Sequence, residues 1–247
     1  YYHGGKNLFN TDVICDSVDG MDLVDGSYYL DSNLGRVTSR STVGTYVGLS
    51  PYIRRIYAST KEAKTSGLTD GHFSPNSTVG QCNECQGAGK IVVDLQYFED
   101  VEFECESCFG RKISDAAAFI EVSGVPYHEA INKEMNSVIP KFELTTKGNR
   151  IYDYLKLLKI DYLSLGRQLN SLSGGERQRL KLFSVIQKQI KNSIFFFENL
   201  SFGLSERELQ SFSYLFERLR NDGNTIVIID NCEIFKKMSD KEITLSN

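Results

Sequence analysis

The chain has 247 residues, of which 40% are apolar and 11% aromatic, enough to bury a sizeable core in one large domain or two small ones. Its net charge of -4 gives no global attraction for nucleic acid, so any such binding must use a local basic patch. No run approaches the roughly 18 to 20 uninterrupted apolar residues of a membrane helix, and no membrane partner is expected.

The chain opens Tyr1-Tyr2-His3-Gly4-Gly5-Lys6, with neither an initiator Met nor the basic-then-apolar pattern of a signal peptide; we expect a piece of something longer, in a reducing cytoplasm. The first third is rich in Gly, Ser and Thr. Within Pro51 to Lys64, the spacing of Ile53, Ile56, Tyr57 and Ala63 predicts a short basic helix. A turn-rich stretch, Ser66 to Gly80, leads to four cysteines arranged Cys82-x2-Cys85 and Cys105-x2-Cys108 with 19 residues between the pairs, while Cys15 and Cys232 stand alone. Disulfides inside CxxC pairs would close strained, tiny loops, whereas thiolates at this spacing converge on one tetrahedral ion, so structural zinc is expected. Gly87 and Gly89 permit the positive φ a knuckle needs. Ile91 to Glu104 alternates like a two-stranded ribbon, with Glu99-Asp100 near its turn. Its surroundings are acidic: Val79 to Lys112 carries three basic and seven acidic residues. By contrast Asn33 to His72 has a balance of +4 and Lys141 to Lys191 one of +7, either solvated faces or a surface that tracks phosphates.

From Ser114 to Asn170 the pattern is largely helical, with Ile151, Tyr154, Leu155, Leu158 and Tyr162 on one apolar face. The remainder alternates: helix from Gly174 to Lys191, strand from Ser193 to Phe197, helix from Ser205 to Asn221, strand from Thr225 to Asp230. That order predicts a parallel sheet covered by helices. The sharpest string is Leu172-Ser173-Gly174-Gly175-Glu176-Arg177-Gln178-Arg179. Ser173 and Glu176 form a capping box, and Gly174 and Gly175 leave backbone N–H groups bare at the positive end of a helix, an anion seat.

That string resembles the ABC signature, which in that family lies on the γ-phosphate of a nucleotide held by an opposite ATPase unit. Phe73-Ser74-Pro75-Asn76 ahead of the cysteines, Asn33-Leu34-Gly35-Arg36 with Thr45-Tyr46, and Leu165-Gly166-Arg167-Gln168 ahead of the signature narrow the resemblance to the UvrA family of bacterial nucleotide excision repair, from about Asp31 to Asn231. The resemblance implies an α/β fold: an ABC-type P-loop ATPase core with a helical signature subdomain and an inserted four-cysteine zinc hairpin. It divides the chain into a truncated ATPase part at 1–35, a helical subdomain at 36–170 with the hairpin at 80–112, and the signature helix, Walker B and remaining core at 171–247.

By the same resemblance Gly5 and Lys6 end a phosphate-binding loop, followed by Asn7 where a hydroxyl would meet Mg2+; a plain terminus is an equal reading. Asp31 falls at the Q-loop Gln. Glu198 takes the Walker B position, Asn199 the catalytic Glu position and Asn231 the switch His position, with Gly203-Leu204 fixing the register. A carboxamide cannot accept the attacking water's proton, so loss of a general base is expected to slow hydrolysis about 10²- to 10⁴-fold. Implied ligands are ATP with Mg2+ and zinc on Cys82, Cys85, Cys105 and Cys108. Implied partners are double-stranded DNA, another ABC ATPase half or a second copy, and excision-repair proteins. A zinc-stabilised, non-catalytic interaction scaffold is the competing function, and His3, His72 and His128 are expected to be surface or packing residues.

Overall fold

A computed structural model describes residues 19–30, 34, 38, 40–93, 101–202 and 204–244. In chain order the elements are β1 (Gly26–Leu30), α1 (Val43–Tyr46), α2 (Ser50–Ala58), α3 (Lys61–Thr65), β2 (Lys90–Val93) and β3 (Val101–Glu104). There follow α4 (Asp115–Ala118), β4 (Glu121–Val122), β5 (Val125–Pro126), α5 (Tyr127–Asn132), α6 (Met135–Val138) and α7 (Thr146–Leu157). The last stretch contributes α8 (Gly174–Ile186), β6 (Ser193–Glu198), α9 (Glu206–Asn221), β7 (Thr225–Ile229) and α10 (Glu233–Met238). The chain forms two compact units, one of residues 1–36, 154–160 and 172–247, the other of residues 37–153 and 161–171.

The first unit holds a parallel sheet in the order β1-β6-β7, with Tyr28 opposite Phe195 and Phe196 opposite Val227. Along β6 buried and half-buried positions alternate, and the fully buried Phe195 and Phe197 carry the core. A run of ring contacts extends from them: Tyr28 to Phe195 at 5.2 Å, Phe197 to Phe216 at 5.5 Å and Phe216 to Phe235 at 6.0 Å. Truncating such a ring to Ala would cost about 3 to 5 kcal/mol. Parallel neighbours require a crossover, which α9 supplies between β6 and β7. It starts on a Ser205/Glu208 capping box, turns Leu209, Phe212, Leu215, Phe216 and Leu219 to the core, and ends before Gly223 at φ 81°. Helix α8 stops at Ile186, short of the expected Lys191, and left-handed Gln189 and Asn192 turn the chain into β6.

The second unit is built around aromatic rings as well. Tyr57, Phe73 and Tyr127 pack within 4.9 to 6.0 Å of one another, Phe142 adds an edge contact to Tyr57 at 5.8 Å, and the Tyr57 hydroxyl donates to Val125 O at 2.8 Å. The single helix expected from Pro51 to Lys64 is two helices. Thr60 breaks it, adopting an extended backbone and capping α3 by accepting from the Ala63 N–H at 3.1 Å. The stretch from Ser114 to Asn170 is likewise less helical than its pattern predicts: α4, α5 and α6 are one or two turns long and β4 and β5 form a small antiparallel pair. The expected apolar face holds for Ile151, Tyr154, Leu155 and Leu158, all buried, but Tyr162 is 39% exposed. Lys159, at φ 54°, ends the helical period before Tyr162 is reached.

Candidate functional site

Two clusters are candidates for function. In the second unit, the four cysteine sulfurs of Cys82, Cys85, Cys105 and Cys108 lie within 4.8 Å of one another and all four residues are buried. The Cys82 and Cys105 sulfurs are 3.9 Å apart and those of Cys85 and Cys108 are 3.6 Å apart. Four thiolates about 2.3 Å from one tetrahedral ion would sit about 3.8 Å apart, close to these two separations, so the cluster has the size that one zinc-sized ion requires.

The backbone explains the convergence. Both knuckles read Cys-x-x-Cys-x-Gly, and each turns back through two left-handed residues, Gln86 (φ 49°) with Gly87 (φ 83°) and Phe109 (φ 45°) with Gly110 (φ 70°). Gly87 admits no side chain, because a Cβ there would lie 2.0 Å from Pro75 O. The knuckles are laced by Cys105 N–H to Gly89 O at 3.1 Å, Cys82 N–H to Lys112 O at 3.0 Å and Gly89 N–H to Cys85 Sγ at 3.1 Å. Burial opposes ionisation of the Cys82 thiol, yet the N–H groups of Cys85 and Glu84 outweigh it and bring the thiol to about 7. Burial pushes Cys108 up to about 12 and raises Cys85 as well. One thiolate forms readily here; four together require a cation.

The second cluster lies in the sheet-bearing unit, at the C-terminal ends of β6 and β7, where parallel sheets generally present ligands. The Ser173 hydroxyl accepts from Glu176 N–H at 3.2 Å and the Glu176 carboxylate accepts from Ser173 N–H at 2.7 Å, closing the expected capping box on α8. Gly174 is half exposed, but Gly175 is buried, so Ser173 and Gly174 form the open part of the seat. The Phe202 ring, 74% exposed, flanks it, 3.7 Å from where a Cβ on Gly174 would stand. The Gln178 side-chain amide donates to Glu198 O at 3.0 Å, tying α8 to the end of β6. Arg179, buried, joins the Glu208 carboxylate at 2.8 Å and Lys159 O at 3.2 Å.

Glu198 is half buried at the end of β6, and the exposed Asn199 follows it at φ 49°. The Asn199 N–H donates to Ile229 O at 3.0 Å and its carbonyl accepts from Phe202 N–H at 3.1 Å, which closes a turn. Asp230 pins that turn. Its carboxylate accepts from the Ser201 N–H and hydroxyl, both at 2.7 Å, and from Cys232 N–H at 3.0 Å. Sequence reasoning missed this clamp. An Asp bonding the N–H two residues on is a local signal, but Ser201 lies 29 positions away. Asn231 is exposed beside it. Gly5, Lys6, Asn7, Asp31, His3, Cys15 and Gly203 lie outside the described residues. His72 Nδ1 accepts within the Thr69 turn and His128 Nδ1 meets Ala118 O, each at 3.0 Å, in packing roles. Among the described residues no helix is long and apolar enough to cross a membrane.

No protein-family model matches the sequence. UvrABC system protein A of Streptomyces coelicolor is 32% identical over 222 residues, covering 89% of this chain and 22% of that protein. Its counterpart in Staphylococcus aureus strain Mu50 is 33% identical over 224 residues, 90% of this chain and 24% of that protein. The chain thus spans less than a quarter of the length of these curated relatives. Among solved structures, UvrA2 from Deinococcus radiodurans superposes with a TM-score of 0.77 at 26% identity, over 89% of this chain and 27% of that one.

Proposed function

This chain belongs to the UvrA family and has an ABC-type ATPase α/β fold, and from that premise we propose that it serves nucleotide excision repair as a DNA-associated ATPase segment that binds nucleotide better than it hydrolyses it. The observation that carries the reading is the intact capping box of α8, with Ser173 and Gly174 open to an anion, beside a β6 end where a carboxamide follows Glu198.

In this reading Ser173 and Gly174 receive the terminal phosphate of a nucleotide held by another ATPase half or a second copy, the helix N-terminus supplying N–H donors and a positive dipole. Gly5, Lys6 and Asp31 contribute to this chain's own nucleotide site, and the Glu198 carboxylate would hold Mg2+, which offsets phosphate charge when bound. Asn199 can orient a water through its amide but cannot take its proton, and Asn231 offers no imidazole. The four cysteines hold zinc in a closed site that supports folding and takes no part in the chemistry. Double-stranded DNA is engaged through the basic stretches 33–72 and 141–191, and the setting is cytoplasmic.

Titrating the chain at low salt with a fluorescent ATP analogue and with duplex DNA, beside Ser173→Arg, tests the reading. The expected result is analogue binding that the variant weakens at least tenfold, DNA binding that it leaves unchanged, and negligible turnover. If neither ligand binds to either protein, the non-catalytic zinc-stabilised scaffold replaces it.

A further inference from the structure

The β2–β3 ribbon carries an apolar face that the cysteine centre does not use. Ile91 pairs with Phe103 and Val93 with Val101, so all four side chains stand on one face, and they are 38%, 57%, 41% and 38% exposed respectively. The opposite face carries Lys90, Val92, Glu102 and Glu104, with Lys90 and Glu102 joined as an ion pair. Among the described residues β2 and β3 pair only with each other, which leaves the outer edge of each strand without a neighbour. A lone two-stranded ribbon with one bare apolar face is marginally stable in water, and here the cysteine knuckles hold its base. Such a face and such edges suit the addition of an extended chain.

Charge selects the occupant. Exposed Glu84, Glu102, Glu104 and Glu106 surround the ribbon, within a segment of three basic and seven acidic residues. Phosphates would be repelled, so this face is a poor nucleic-acid surface. A second copy of the ribbon would bring the same acidic rim against its own. We propose that the free edge of β3 is a docking site for an extended protein segment that alternates apolar and basic residues and adds to the ribbon as a third strand. Paired along β3, the segment sets its apolar side chains beside Val101 and Phe103, extending the apolar face, and its basic ones beside Glu102 and Glu104 on the opposite face. The proposal stands apart from the nucleotide reading and can hold or fail independently of it.

Fluorescence anisotropy of the full chain with three labelled peptides of equal length decides it: one alternating Val and Lys, one alternating Val and Glu, and one alternating Gly and Lys. The Val/Lys peptide should bind at least tenfold more tightly than either of the others. Phe103→Ser should remove most of that difference, and the gentler pair Ile91→Thr with Val101→Thr, which keeps strand-favouring residues, should reduce it severalfold with circular dichroism unchanged. Replacing Glu104 and Glu106 together by Lys should shift preference toward the Val/Glu peptide. Equal binding of Gly/Lys and Val/Lys peptides would overturn the proposal, since charge alone would then be read. So would duplex DNA binding that Phe103→Ser weakens, or self-association in sedimentation that the same substitution abolishes.

Discussion

The cysteine centre and the ends of β6 and β7 put their chemistry at different distances from their scaffolds. In the first, the groups that make the fold are the functional groups: the knuckle turns, the interlaced N–H bonds and the sulfurs form one object, with Gly87 pressed so closely on Pro75 O that no side chain is admitted. In the second, the scaffold is held by residues that perform no chemistry, among them Asp230 on Ser201, Gln178 on Glu198 O and Arg179 on Glu208. Asn199 and Asn231 are exposed, and the bonds that hold the Asn199 turn run through its backbone and not its side chain. In the proposed reading, the cysteine knuckle loses its fold when it loses a ligand, whereas the strand ends that face a nucleotide can lose a base and stay folded.

The difference can be broken most sharply at Cys105. Cys105→Ser removes one of four thiolates from a buried set, and a structural zinc site contributes on the order of 10 kcal/mol of apparent binding free energy. The expected outcome is loss of stoichiometric zinc in a chelator competition and loss of the module's protection in hydrogen exchange. Next in size is Arg179→Met. Removing the buried cation leaves Lys159 O and the Glu208 carboxylate without it, at a cost of about 3 kcal/mol read in denaturant unfolding. Acid should probe the same place. The Ser205 N–H and hydroxyl, and then Arg179, hold the Glu208 carboxyl below its ordinary value. Its contribution is therefore fully present above the unfolded value of about 4.3 and is lost as pH falls through the lower folded one. The pH dependence of unfolding in that window should flatten in the Arg179→Met protein.

A smaller effect is expected at the clamp. Asp230→Asn keeps the shape but replaces charge-assisted acceptors by one neutral acceptor, at a cost of about 2 kcal/mol. Amide exchange at Ser201 should quicken while metal content stays unchanged. If metal content falls as well, the two regions are coupled and the contrast between them fails.

These features were unequally readable from the sequence, for reasons of distance. The Ser173/Glu176 cap and the spacing within each CxxC pair are local, with partners three residues apart, and the repeated pair is what marks the two knuckles as meeting, although the sulfurs that meet lie 23 positions apart. The apolar period of α7 could be read as far as Leu158, but the left-handed turn at Lys159, which strands Tyr162 at the surface, carries no glycine to announce it. Thr60 broke an expected helix for a similar reason: a mid-pattern Thr looks neutral until its side chain caps the next helix. The Asp230 clamp and the Arg179 link join residues 29 positions apart, and no local pattern marks them.

The finest test of the contrast supplies, at Asn199, the base that the proposed reading finds replaced. Asn199 stands at φ 49°, a backbone region that Asn occupies more easily than most side chains, so the carboxamide suits the turn whatever its chemistry. Asn199→Glu should therefore destabilise by about 1 kcal/mol, the penalty for a longer side chain in the left-handed region. It should raise ATP turnover by less than tenfold, because in the proposed reading Asn231 stands where an imidazole is also needed. Adding Asn231→His should then give a larger gain than either change alone, the non-additivity expected of groups that act as a unit. A hundredfold gain from Asn199→Glu by itself would show that the strand ends lack one group and nothing else, and the distinction between a scaffold retained and a chemistry lost would shrink to a single side chain.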